Sequence, residues 1–248
     1  MKILVALKQV PDTETKIKIA SDGKSVDLSD IKWITSPYDE YALEEALRLK
    51  ESQGAEVTAI SVGDDKAKTM LQSAFALGVN NAVLLKSDNV DDPMAVAYAL
   101  AAFAKDKNFD LIFMGNRSFG GDNACVGPVL AELLNMAQAN VVTKIEINNN
   151  IFTAEREGDS GTEIIEGKLP VVVTAQRGLN EPRYANLKGI IAAKKKVIEE
   201  VAAETIAPLI TVMSLKLPVI RPSGKNIEGD AATQVATLME LLCGETNL

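Results

Sequence analysis

Residues 111–136 read LIFMGNRSFGGDNACVGPVLAELLNM, and the order of their parts decides the fold. Leu111–Met114 is a short unbroken apolar run, suited to a strand buried on both faces of a parallel sheet. Gly115 opens a glycine-rich loop, Gly115–Gly127, and a helical pattern follows over about Ala124–Met136. The same alternation extends toward the N-terminus. Ile3–Leu7, Val57–Val62 and Ala82–Lys86 read as strands. Between them lie a helix that starts at Ser36-Pro37, a helix over about Asp65–Leu77 that Gly78 can end, and an alanine-rich helix over Pro93–Lys107. A strand–helix series of this kind predicts an α/β fold with a doubly wound, mainly parallel sheet.

Local signals refine this outline. Ser36 is expected as an N-cap with Pro37 in the first turn, and Asp39 and Glu40 sit near the positive helix end. Ala42, Leu43, Ala46 and Leu47 then make one apolar face. Lys16–Ile19 and Lys24–Leu28 flank Asp22-Gly23 and predict a hairpin. Beyond residue 140, Val141–Ile147, Ile151–Glu157, Thr162–Glu166 and Pro170–Thr174 read as short antiparallel strands added to the sheet. Residues 1–200 are taken as the α/β domain. Residues 201–248 are taken as an extended C-terminal arm, punctuated by Pro208, Pro218, Pro222 and Gly224 before a final helix over about Ala231–Cys243. An arm that cannot bury its own apolar residues is expected to pack on another subunit.

Composition narrows the function classes. Lys and Arg number 26 against 34 Asp and Glu, a net charge of −8 that argues against nucleic acid as a general partner. No apolar run reaches the ~20 residues that span a bilayer, and MKILVALKQVPD reads as a first strand, so the expected location is cytoplasmic, or the mitochondrial matrix in a eukaryote. The chain has no histidine, which removes Ser–His and Cys–His nucleophile pairs and His-ligated zinc. Cys125 and Cys243 encode neither a disulfide framework nor a metal site. The composition leans toward binding or carrying.

In a doubly wound sheet the ligand crevice lies beyond the carboxyl ends of the strands, where the strand order reverses. For order 3-2-1-4-5 the loops Lys8–Asp12 and Gly115–Gly127 meet there. Glycines admit close backbone approach, and N–H groups at a helix start favour an anion, so a phosphate around Asp122–Val126 is expected. The alternative is that these glycines only shape a turn. There is no G-x-G-x-x-G after the first strand and no P-loop. Cys125 reads as a packing residue; Glu155 and Glu157 share one strand face.

Leu179–Lys196, LNEPRYANLKGIIAAKKK in its core, reads as a loop between Pro182 and Gly189 that ends in the basic run Lys194–Lys196. Its leucine, Leu187, is either tucked under neighbours or offered to a partner. This stretch closely resembles the recognition loop of electron transfer flavoprotein β subunits. The opening KILVALKQVPD, SPYDEYALEEALRLK, ALGVNNA, the 115–127 loop, and AEREGDSGTE leading into KLPVVVTA are similar to that family as well.

The resemblance implies a Rossmann-like, adenine-nucleotide-binding subunit of an αβ heterodimer, with no catalytic or metal-ligating residues of its own. The role so implied is to carry electrons from dehydrogenases, such as acyl-CoA dehydrogenases, to a downstream acceptor. It implies FAD held mainly by the α subunit, and AMP, or in electron-bifurcating members a second FAD, in this one. The matching positions are Ala6, Ser36, Pro37, Tyr38, Asp39, Val62, Gly115, Asn116, Gly121, Asp122, Asn123, Ala124, Cys125 and Val126. It further places Thr13 near the α flavin, Glu157 at the subunit boundary, and Tyr184 and Leu187 at the dehydrogenase. GGDNACVGP, residues 120–128, keeps V-G-P of the bifurcating D-G-D-T-A-Q-V-G-P pattern but not its first Asp, its Thr or its Gln, which favours AMP. Two other readings remain: a bifurcating subunit that oxidises NADH, and a stand-alone nucleotide-binding regulator.

Overall fold

The apolar run Ile3-Leu4-Val5 is fully buried as the centre of strand β1 (Lys2–Ala6), and its alternation divides the core in two. Ile3 and Val5 face α1 (Pro37–Gln53) and α2 (Ala67–Leu77), whereas Leu4 faces α3 (Pro93–Ala104) and α4 (Val126–Leu134). Strands β4 (Glu56–Gly63), β5 (Asn81–Lys86) and β6 (Leu111–Gly115) divide their side chains in the same way, so both faces of the sheet are covered by helices. In this computed structural model residues 1–219, 223–224 and 226–246 are described.

Among the described residues the main sheet has nine strands, in the order β11 (Glu199–Ala202), β5, β4, β1, β6, β10 (Val171–Ala175), β7 (Ala137–Asn148), β8 (Ile151–Gly158) and β9 (Gly161–Lys168). β4 and β6 both run parallel to β1, on opposite sides of it, so the order reverses between β1 and β6 as expected. The second half of the sheet departs from the sequence reading. β10 (Val171–Ala175) is parallel to both β6 and β7 (Ala137–Asn148), which corrects the antiparallel expectation for Pro170–Thr174. Antiparallel pairing is confined to β7 with β8 (Ile151–Gly158) and β8 with β9 (Gly161–Lys168). β7 changes partner along its length: Ala137–Val142 lies beside β10 and Val142–Asn148 beside β8, with register shifts near Val141, whose φ is 62°. Strand direction here follows from the return of the chain to the sheet centre, which no local pattern encodes.

Three further differences concern short elements. The 16–28 hairpin is reduced to one bridge between Ile19 and Val26, and a small antiparallel pair forms instead from β2 (Gln9–Pro11) and β3 (Trp33–Thr35). The expected loop after Leu179 contains a helix, α5 (Leu187–Ala193), whose N-cap Asn186 accepts the Gly189 N–H at 2.8 Å. An edge strand, β11 (Glu199–Ala202), runs parallel to β5 and crosses the boundary drawn at residue 200. It is fastened by Glu200, which takes Lys68 at 2.7 Å and Lys86 at 2.6 Å.

Past β11 the chain has no strand or helix among the described residues until α6 (Ala231–Thr246). The arm is tied down on its way. Asp92, the N-cap of α3, accepts the Leu209 N–H at 2.6 Å and the Ile210 N–H at 3.3 Å, and the Leu215 N–H donates to Gly23 O at 2.8 Å. Pro222 lies outside the described residues. No described helix is long and apolar enough to cross a membrane.

Candidate functional site

The carboxyl ends of β1 and β6 lie side by side, and the start of α1 is fitted against them by one side chain. Asp39, in the first turn of α1, is 5 % exposed. Its Oδ2 accepts the Lys8 N–H at 2.7 Å and its Oδ1 accepts the Gly115 N–H at 2.7 Å. One carboxylate therefore ties the loops after β1 and β6 to one helix. Burial raises its pKa from the ordinary 3.8 to about 7, against the lowering pull of the two N–H donors. Gly115 must be glycine: a Cβ there would lie 2.6 Å from both Asp39 Oδ1 and Tyr38 Cβ.

The rim is cationic and polar. Arg117 donates to the Tyr38 hydroxyl from Nε at 3.3 Å and Nη2 at 3.0 Å, lies 5.3 Å above the Tyr38 ring, and pairs with Asp122 at 3.5 Å. Lys8 Nζ reaches Ser118 Oγ at 3.5 Å. The loop turns through positive φ at Gly120, Asp122 and Ala124, and the Asp122 N–H closes onto Ser118 O at 3.0 Å. It then enters α4, where Cys125 occupies the N-cap position without a side-chain cap bond and is half-buried. The first N–H groups of α4 thus lack a side-chain acceptor, as at anion-binding helix starts.

Ser36 supplies the other open valence. It holds the N-cap position of α1, but its Oγ makes no cap bond and is buried without a partner. The capping role expected from sequence is therefore not played by this hydroxyl. The residue is wholly buried, so this hydroxyl is closed to solvent as well as unpartnered, at a cost to the folded state. Ala6 and Val62 are half-buried near the carboxyl ends of β1 and β4. The backbone N–H groups at the start of α4, with Lys8 and Arg117 on the rim, can hold an anionic group at this switch point.

Some 180 residues along the chain, Asn180 and Arg183 bind the same helix further down. Beyond them Tyr184 is 98 % and Leu187 72 % exposed.

A family model described as electron transfer flavoprotein domain matches residues 25–206. An electron transfer flavoprotein subunit beta of Bacillus subtilis is 40 % identical over the full length of both chains. That of Syntrophomonas wolfei is 37 % identical, covering 97 % of this chain and 96 % of its own. That of Bradyrhizobium diazoefficiens is 35 % identical over the full length of both. The chain belongs to the electron transfer flavoprotein β-subunit family. Membership implies an electron-carrying role and an α-subunit partner.

The residues named from the family resemblance fall into separate places. Ser36, Pro37, Tyr38, Asp39, Gly115 and Asn116 are drawn together at the crevice, and Gly121–Val126 form its outer loop and the entry to α4. Thr13 is exposed after β2. Glu157 is exposed on β8, where it accepts from Gln176 Nε2 at 3.3 Å; its face-mate Glu155 is paired with Lys144 at 3.0 Å. Lys196, read as part of a basic patch, is committed to the fold through Val79 O at 2.7 Å and the Phe75 ring at 4.7 Å. Lys8, Arg117, Asn180 and Arg183 join these sites only through the fold. Their signal lies in the KQVP, NRSFGG and NEPRY strings, each with a lone cation within three residues of a glycine or proline.

Proposed function

We propose that this chain is the β half of an electron-carrying αβ flavoprotein, and that its crevice holds AMP as a structural nucleotide. The redox FAD resides mainly with the α subunit. The observation that carries this reading is the crevice itself, where Asp39 ties the loops after β1 and β6 to the start of α1 and the next loop enters α4 without a side-chain cap, in a chain of this family. Ser36–Asp39 and Gly115–Val126 would hold the nucleotide. No side chain here is arranged as an acid, base or nucleophile toward a substrate: the most perturbed carboxylate, Asp39, is spent on two backbone N–H groups.

Tyr184 and Leu187 are the contact points for the electron donor, a flavin dehydrogenase such as an acyl-CoA dehydrogenase. Burying a leucine side chain stabilises by roughly 1.5–3 kcal/mol, worth about ten- to a hundredfold in affinity. The C-terminal arm packs on the α subunit; its helix α6 exposes Val235, Leu238 and Met239, which suits a covered face. Glu157 and Thr13 lie toward that subunit.

The docking part is tested with the αβ complex carrying Leu187→Ala. Electron delivery from a purified acyl-CoA dehydrogenase should weaken while flavin content is unchanged. Normal delivery in that variant removes the docking role.

A further inference from the structure

The chain from Asn180 to Lys196 stands on two feet. One foot rests on α2: Gly189 lies so close to Ala76 O that no Cβ would fit, Gln72 Nε2 donates to Ala193 O, and Lys196 Nζ donates to Val79 O at 2.7 Å. The other rests on α1. Asn180 Nδ2 donates to Tyr41 O at 3.0 Å and to Glu45 Oε2 at 2.9 Å. Between the feet rises the exposed arc of Tyr184 and Leu187.

Arg183 carries most of the α1 foot. Its Nε meets Glu44 Oε2 at 2.8 Å, its Nη2 meets Glu44 Oε1 at 3.0 Å, and its backbone N–H reaches the same carboxylate at 3.2 Å. The far side of the fork binds Glu51 through Nη1, and through Nη2 at 3.1 Å. Glu44 is only 4 % exposed, so releasing Arg183 would leave a buried carboxylate with Arg48 alone. A planar guanidinium can grip one carboxylate with two parallel N–H donors and still reach a second, a fixed fork that an ammonium lacks.

Resting on the reading that Leu187 docks the dehydrogenase, we infer that Arg183 is a positioning residue for that encounter: its fork on Glu44 and Glu51 presets the Tyr184–Leu187 arc. Arg183 acts through the arc and makes no demand on the crevice. The fastening removes an ordering cost from each encounter, because the residues after it are already fixed before the partner arrives. It also supports α5, whose seven residues would not hold a helix alone.

The test uses the αβ complex with Arg183→Ala, Arg183→Lys and Leu187→Ala. Flavin reduction is followed with a purified acyl-CoA dehydrogenase and its acyl-CoA as donor, and separately with dithionite, which needs no docking. Arg183→Ala should raise KM for the dehydrogenase about tenfold, the affinity equivalent of re-ordering a short segment. Its kcat, flavin content and dithionite reduction should stay as in the parent, and Arg183→Lys should fall between. If Leu187→Ala raises KM and Arg183→Ala does not, the positioning role is overturned and docking stands. If neither raises it, the docking reading falls and this inference with it. Should Arg183→Ala fail to assemble, Arg183→Lys and Glu51→Gln, which keep Glu44 partnered, decide the matter: a raised KM at constant kcat supports the role, and an unchanged KM overturns it.

Discussion

The Asp39 carboxylate and the Gly115 N–H, 76 residues apart in sequence, are joined at 2.7 Å. The bond welds the start of α1 to the end of β6, and the crevice has its shape because of it. Replacing Gly115 by alanine sets a Cβ 2.6 Å from both Asp39 Oδ1 and Tyr38 Cβ, and the Asp39 carboxylate is also held by the Lys8 N–H through Oδ2. Gly115→Ala should therefore cost about 1–3 kcal/mol, the usual range for overpacking, and should lower the adenine nucleotide retained. Denaturant unfolding and nucleotide extraction of the variant complex check both.

Asp39 also makes stability depend on pH. Its carboxyl titrates near 7 in the folded chain and near 3.8 when unfolded, chiefly because it is buried. Between these values the folded state binds more protons, so the contribution of Asp39 is fully present below pH 3.8 and is lost as pH rises through about 7. Asp39→Asn cannot titrate, and should flatten the fall in thermal midpoint across that window. It should also lower the midpoint at acid pH, since one amide oxygen replaces two acceptors for two N–H donors. An equally steep profile in the variant would contradict the assignment.

Asp92 couples α3 to the arm. The same carboxylate caps the Met94 N–H at 2.9 Å and holds the Leu209 N–H at 2.6 Å. Asp92→Ala should speed amide hydrogen exchange at Leu209 and Ile210 and at the first turn of α3 together, leaving the β1–β6 amides as they were. Exchange that rises at α3 alone would mean the arm is held by other contacts.

Gly189 fixes α5 on α2. The Ala76 carbonyl that a Cβ would strike is backbone inside a helix and cannot yield. Gly189→Ala should lift α5, at a cost of about 1–3 kcal/mol, and should weaken dehydrogenase delivery without loss of flavin. Thermal unfolding read beside steady-state kinetics tests the pair of effects.

The parallel half of the fold was legible because Ile3–Leu7, Val57–Val62, Ala82–Lys86 and Leu111–Met114 are apolar runs that only a two-sided burial explains. β11 was not, since Glu-Glu-Val-Ala has no such run and is held by the Lys68, Lys86 and Glu200 ion pairs. α5 was hidden by its length and by its Gly189, which reads as a breaker but serves close packing. The reversal of strand order between β1 and β6 followed from the strand–helix series alone. The chemistry of the crevice did not: Asp39 reads as a helix-end charge and Ser36 as a cap, and only the packing shows one buried on two amides and the other without a partner. Arg183 was equally invisible, because its partners Glu44 and Glu51 lie 139 and 132 residues away in the chain.

The central claim is a carrier subunit with a structural nucleotide, and the cofactor content of the purified αβ complex tests it most directly. Denatured complex should release one FAD and one AMP per αβ pair. Two FAD and no AMP would contradict the account, and would point instead to a bifurcating subunit whose crevice holds a second flavin.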